Sequence, residues 1–126
     1  MSFLPSADRR YLEAKGIKFA ELDAGGQKAI VITRFLLPTG RYSSSEADVL
    51  ILLPAGYPDV PPDMFFTHPW VRCTASGAYP RAADQPFTFC DKNWQRWSRH
   101  SADWRPGQDG LWTMVKRIEH AVEISE

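Results

Sequence analysis

Tyr57-Pro58-Asp59-Val60-Pro61-Pro62-Asp63-Met64-Phe65-Phe66-Thr67-His68-Pro69 packs four of the chain's ten prolines into thirteen residues. Proline fixes φ and donates no backbone hydrogen bond, so a central strand cannot run through residues 57–62. The apolar run 48–54 (Asp-Val-Leu-Ile-Leu-Leu-Pro) precedes it, and Asp63-Met64-Phe65-Phe66-Thr67 after it is strand-like again. The stretch therefore reads as a strand, a rigid proline-braced crossing, and a second strand. Such a crossing implies that something beyond it is held in a fixed place.

Working outward, residues 6–15 form a short helix with Ser6 or Asp8 near its cap, stopped at Gly16. Residues 17–22 form a strand that turns at Gly25-Gly26 into residues 29–37, a β-branched run fit for a central strand. Pro38-Thr39-Gly40 turns the chain, and the serines 43–45 lead into residues 47–53, apolar on both faces and so covered on both sides. Residues 64–67 complete a four-stranded antiparallel meander. From 68 to 106 periodicity fails, although four tryptophans in that stretch argue that it is packed down rather than a free linker. Residues 109–124 form the last helix: Leu111, Met114, Val115, Ile118, Ala121 and Val122 recur at helical spacing, with Asp109 as the N-cap. The fold class is α+β, a single domain over residues 1–126.

This order of elements resembles the ubiquitin-conjugating (UBC) superfamily. Tyr57-Pro58-Asp59-Val60-Pro61-Pro62 matches the family's Tyr-Pro-x-x-Pro-Pro in full, His68-Pro69-Trp70 matches two positions of its His-Pro-Asn, and Trp104-Arg105-Pro106 is similar to its Trp-x-Pro ahead of a helix. With the segment 94–100 (Trp-Gln-Arg-Trp-Ser-Arg-His), the resemblance is closest to divergent bacterial UBC-like proteins. It implies a UBC-like fold: a four-stranded meander with an N-terminal helix, a long irregular active-site region and a C-terminal helix. It also implies cysteine thioester chemistry, with a ubiquitin-like protein, a ThiF-like adenylyltransferase as activating enzyme and a target amine as partners. An operon-borne conjugation system in anti-phage defence is the setting it suggests.

Carried onto this sequence, the resemblance makes Cys90 the nucleophile. A thioester keeps a carbonyl activated during transfer, and the attacking thiol must be partly exposed and partly ionised. His68 would brace the site, and Asn93 and His100 would shape or polarise it, His100 as a base that titrates near neutral pH. Trp70 stands where the family has an oxyanion-donating asparagine, and indole cannot reproduce amide bonding. Cys90 lies 22 positions after His68 and 14 before Trp104, both wider than the family's usual spacing. Free cysteines are also often buried as small hydrophobes, a reading open for Cys90 and preferred for Cys73. His120, on the polar face of the last helix, reads as a solvated side chain. The segment 94–100 has three readings: an active-site flap, a stacking surface for single-stranded nucleic acid, or a loop pinned by Trp94 and Trp97 with its arginines outward.

Fifteen basic and fifteen acidic residues give zero formal charge, which removes the global argument for nucleic acid. Residues 72–105 carry six basic against three acidic residues, and 46–63 carry four acidic and no basic ones, so the domain is mildly polarised. No apolar run is long enough to span a bilayer, and the N-terminal residues lack a secretory pattern. Two cysteines are too few for a disulfide framework; a cytoplasmic location with reduced thiols is expected. Neither a metal-ligand pair nor a phosphate loop is present, so no cofactor or metal is expected. Two functional classes stay open: a thioester-forming conjugating enzyme, and a non-catalytic UBC-like or RWD-like module that binds a ubiquitin-like protein or scaffolds its partners. A weaker third places the chemistry on His100.

Overall fold

The computed structural model describes residues 4–99 and 104–124. Helix α1 (Ser6–Ala14) is followed by strands β1 (Phe19–Ala24), β2 (Gln27–Leu36), β3 (Glu46–Leu53), β4 (Phe65–His68), β5 (Gln85–Phe89) and β6 (Lys92–Trp97), and by helix α2 (Leu111–Ile124). They build one antiparallel sheet in the order β1-β2-β3-β4-β6-β5. The meander expected from sequence is β1 to β4, but the sheet has six strands rather than four. The extra pair, β5 and β6, lies inside the stretch that looked irregular, and β6 is wedged between β4 and β5.

Strand alternation sorts the core into two layers. Ile30, Ile32, Val49, Ile51, Phe65 and Trp97 face α1 and α2, meeting Leu12, Leu111, Met114 and Ile118 in the main core. Ala29, Val31, Leu50, Phe66, Phe89 and Trp94 form a smaller cluster on the opposite face, with Leu22, Leu52, Met64 and Phe87 packed on it. β3 is thus buried on both faces, as its unbroken apolar run requires. A register shift between Ile32 and Phe35 bulges β2; there Arg34 takes φ 58° and its N–H donates to Asp48 Oδ1 at 3.1 Å.

The proline-rich crossing holds the helix junction. The Tyr57 hydroxyl donates to Asp8 Oδ2 at 2.6 Å, and the other oxygen of Asp8 accepts the Leu111 N–H at 3.0 Å. Burial, with the Asp8 carboxylate beside it, pushes the Tyr57 phenol well above its ordinary range. The Trp104 indole donates to the Pro58 carbonyl at 2.8 Å. Ser6 and Asp8 lie in the first turn of α1 as expected, but neither caps it: Pro5 precedes α1 without a side-chain cap, and buried Asp8 caps α2 across the junction. Asp109, expected as the N-cap, lies one residue too early. Its carboxylate accepts the Arg105 N–H at 2.8 Å and the Thr113 hydroxyl at 3.0 Å. Gly110 leaves room for this arrangement, since a Cβ there would stand 2.6 Å from Asp8 Oδ1.

Candidate functional site

The β5–β6 hairpin closes on Cys90 and Asp91, with Phe89 paired to Lys92. Cys90 has φ 50° and Asp91 φ 60°, the left-handed pair of a type I′ two-residue turn. Left-handed backbone is costly for residues other than glycine, asparagine and aspartate, so the ladder on either side must impose it on Cys90. The thiol is exposed at the tip. Buried Phe89 anchors the strand below, and its carbonyl accepts the Trp94 indole N–H at 3.3 Å. Phe87 stacks on Phe66 with centroids 4.5 Å apart.

β4 delivers His68 to the same end of the sheet. Its ring meets Trp94 edge-on at 5.9 Å, and the Lys92 ammonium lies 5.3 Å from the centre of the Trp94 ring. Past Pro69, the Trp70 indole donates to the Asn93 backbone carbonyl at 3.1 Å and leans edge-on against Tyr79 at 5.4 Å. Trp70 thus bolts the segment after His68 onto the first residues of β6. His68, Trp70, Asn93 and Cys90 are gathered at one end of β4, β5 and β6. The register sets His68 beside Trp94, with Lys92 and Asn93 between that position and the Cys90-Asp91 turn. His68 thus packs against Trp94 at the base of the hairpin. Asn93 is exposed and pairs with Thr88 in the ladder, its carbonyl committed to Trp70. His100 lies outside the described residues. Tyr57, Pro58, Pro61, Pro62 and Trp104 belong to the crossing at the other end of β4, and Pro106 lies in the exposed turn before α2.

Cys73 is buried in the main core, bridged to Tyr42 and donating its N–H to the Ala78 carbonyl at 2.8 Å. Trp94 and Trp97 are both buried, on opposite faces of β6, so residues 92–97 are strand rather than a pinned loop or flap. Among the described residues no group of three or more histidine, cysteine or acidic side chains is placed to hold a metal ion.

Sequence reasoning missed Gln95. This side chain is 0% exposed and fully bonded. Its Oε1 accepts the Val71 N–H at 2.8 Å and the Thr67 hydroxyl at 3.1 Å; its Nε2 donates to the carbonyls of Val71 at 3.0 Å and Ala83 at 2.8 Å. The Trp97 indole completes the chain by donating to Thr67 Oγ1 at 2.9 Å. One amide therefore fastens both ends of the 71–83 excursion to β6, the strand that carries the Cys90 turn.

A family model described as Prok-E2_E, prokaryotic E2 family E, matches residues 4–125. No match was found among the curated proteins or the solved structures.

Proposed function

Because the chain belongs to prokaryotic E2 family E, we propose that it is a ubiquitin-conjugating-like protein whose Cys90 accepts a ubiquitin-like protein as a thioester from an activating enzyme and passes it to an amine. The observation that carries this reading is the exposed thiol at the tip of a hairpin that Trp70, Trp94 and His68 hold in place. In the loading step the Cys90 thiolate attacks the carbonyl carbon of the partner's thioester, a C–S bond forms, and the bond to the activating enzyme's sulfur breaks. The proton lost by Cys90 is matched by the one the leaving thiolate takes up. Amine attack then releases Cys90, again without redox change. Nucleotide chemistry belongs to the activating partner, here a ThiF-like adenylyltransferase. No described helix is long and apolar enough to cross a membrane, and a cytoplasmic setting suits the free thiol.

The second reading is a non-catalytic module that binds the ubiquitin-like protein. Trp70 favours it: the indole that replaces the oxyanion-donating amide spends its N–H on Asn93. A charging assay separates the two. The protein is incubated with activating enzyme, ATP and ubiquitin-like partner, then run on gels with and without thiol reductant. The transfer reading expects a reductant-sensitive adduct, absent in Cys90→Ala and turned into a reductant-resistant oxyester in Cys90→Ser. Unchanged charging of Cys90→Ala, or no adduct at all, rules out Cys90 as the acceptor.

A further inference from the structure

Among the described residues β5 is the outer strand of the sheet, and its unpaired edge ends at Cys90. The hairpin register fixes what that edge offers. In a two-residue hairpin the residues flanking the turn form a hydrogen-bonded pair, and bonded and non-bonded pairs then alternate. Phe89 with Lys92, Phe87 with Trp94 and Gln85 with Arg96 are therefore the bonded pairs, whereas Thr88 and Pro86 turn their backbone groups outward. The bond from Trp70 to the Asn93 carbonyl supports this phase independently, because it shows Asn93, the partner of Thr88, facing away from β5. Pro86 has no N–H to offer, so the edge presents the Pro86 carbonyl, then the N–H and carbonyl of exposed Thr88, then the turn at Cys90.

That order has a direction. A parallel strand needs an acceptor at one position of its neighbour and a donor two positions later, and Pro86 and Thr88 supply that pair. The next acceptor is the Thr88 carbonyl, and the next donor position is Cys90 itself. A strand running parallel to β5 ends its course at the thiol, whereas an antiparallel one leads its C-terminus away. β1, the opposite edge, has no thiol at its end, and Glu21 on it holds Arg9 and the Leu4 N–H.

We propose that the outer edge of β5 is a docking rail for the extended C-terminal tail of the ubiquitin-like protein, which adds to the sheet as a parallel strand and so brings its terminal carbonyl to Cys90. This rests on the transfer reading above and assigns it a binding site made of backbone groups. It also supplies what Trp70 took away: in this register the Cys90 N–H faces the carbonyl oxygen under attack, a backbone donor in place of the missing amide.

The test uses a six-residue peptide of alternating β-branched residues ending in glycine, activated as its mercaptoethanesulfonate thioester, and the same peptide N-methylated at alternate amides to remove its edge donors. Acyl transfer to Cys90 is followed by intact mass. The unmethylated peptide should acylate Cys90 about ten-fold faster than the methylated one, the worth of a strand hydrogen bond or two. Thr88→Pro, which deletes the outward N–H at a position like that of Pro86, should slow acylation by the unmethylated peptide several-fold, whereas Thr88→Ala should leave that rate unchanged. Alkylation of Cys90 by iodoacetamide should agree within about two-fold across all variants, reporting an intact turn and thiol. Equal acylation by the two peptides, or a Thr88→Pro protein acylated by the unmethylated peptide as fast as the wild type with its iodoacetamide reactivity unchanged, overturns the rail. Because no activating enzyme is used, these outcomes stay distinct from failure of the charging assay, which bears on the transfer reading.

Discussion

Gln95 sits between Trp94 and Arg96 in β6 and satisfies four polar groups of two other segments. Its removal leaves those groups buried without partners, which costs more than the bonds themselves are worth. Gln95→Leu, close in volume, is expected to lower unfolding free energy by about 3 kcal/mol, with an urea midpoint shift as the measure. The same variant should slow charging of Cys90, since the 71–83 excursion and the start of β6 lose their common fastening. A loss below about 1 kcal/mol would show that the amide is not holding the excursion. Nothing in the linear sequence marks Gln95. A glutamine beside arginine and tryptophan reads as surface until the strand is recognised, and only then does alternation turn it inward with Trp97.

At the level of elements, α2 begins on a divided cap. Asp8 accepts the Leu111 N–H from across the junction, while Asp109 accepts the Arg105 N–H and the Thr113 hydroxyl. The Arg105 N–H holds the Asp109 carboxyl below the usual carboxylate range, aided by the Arg105 guanidinium and Thr113 and opposed by desolvation. A carboxyl whose folded pKa is depressed binds fewer protons than in the unfolded chain. Its stabilisation is therefore present above the unfolded value, near pH 4, and is lost as pH falls through the lower folded value. Asp109→Asn should accordingly be less stable than the wild type at pH 7, and the gap between their urea midpoints should close as pH drops below about 4. A gap that is constant with pH would assign the effect to shape rather than charge. The helix itself was legible because its apolar positions keep a 3.6 period over three turns. Its cap was not, because Asp8 is more than a hundred residues away in the chain. The β5–β6 hairpin was illegible for a related reason. Its turn uses Cys90-Asp91 in place of the asparagine-glycine or aspartate-glycine signal, and Pro86 argues against a strand unless the strand is an edge.

Across the whole molecule, the proline-rich crossing and the Cys90 turn stand at opposite ends of β4. The motif that identifies the architecture therefore braces the helix junction, and the thiol is positioned by a separate set of contacts through Trp70, Trp94 and Gln95. This is why the fold could be read further than the site. Tyr57 and its prolines act through local backbone restriction, whereas the site depends on a strand order in which β6 inserts beside β4. Backbone amide exchange tests that order and the register together. Central β2 and β3 should exchange slowest, since both lie between other strands and β3 is buried on both faces. In β5 the pattern should alternate, with Phe87 and Phe89 protected by their bonds to Trp94 and Lys92, and Thr88 exchanging near the unprotected rate. A slip of one residue in the hairpin would invert that alternation, protecting Thr88 and exposing Phe87. An inverted pattern would also turn the Thr88 N–H inward and remove the donor on which delivery of a tail to Cys90 depends.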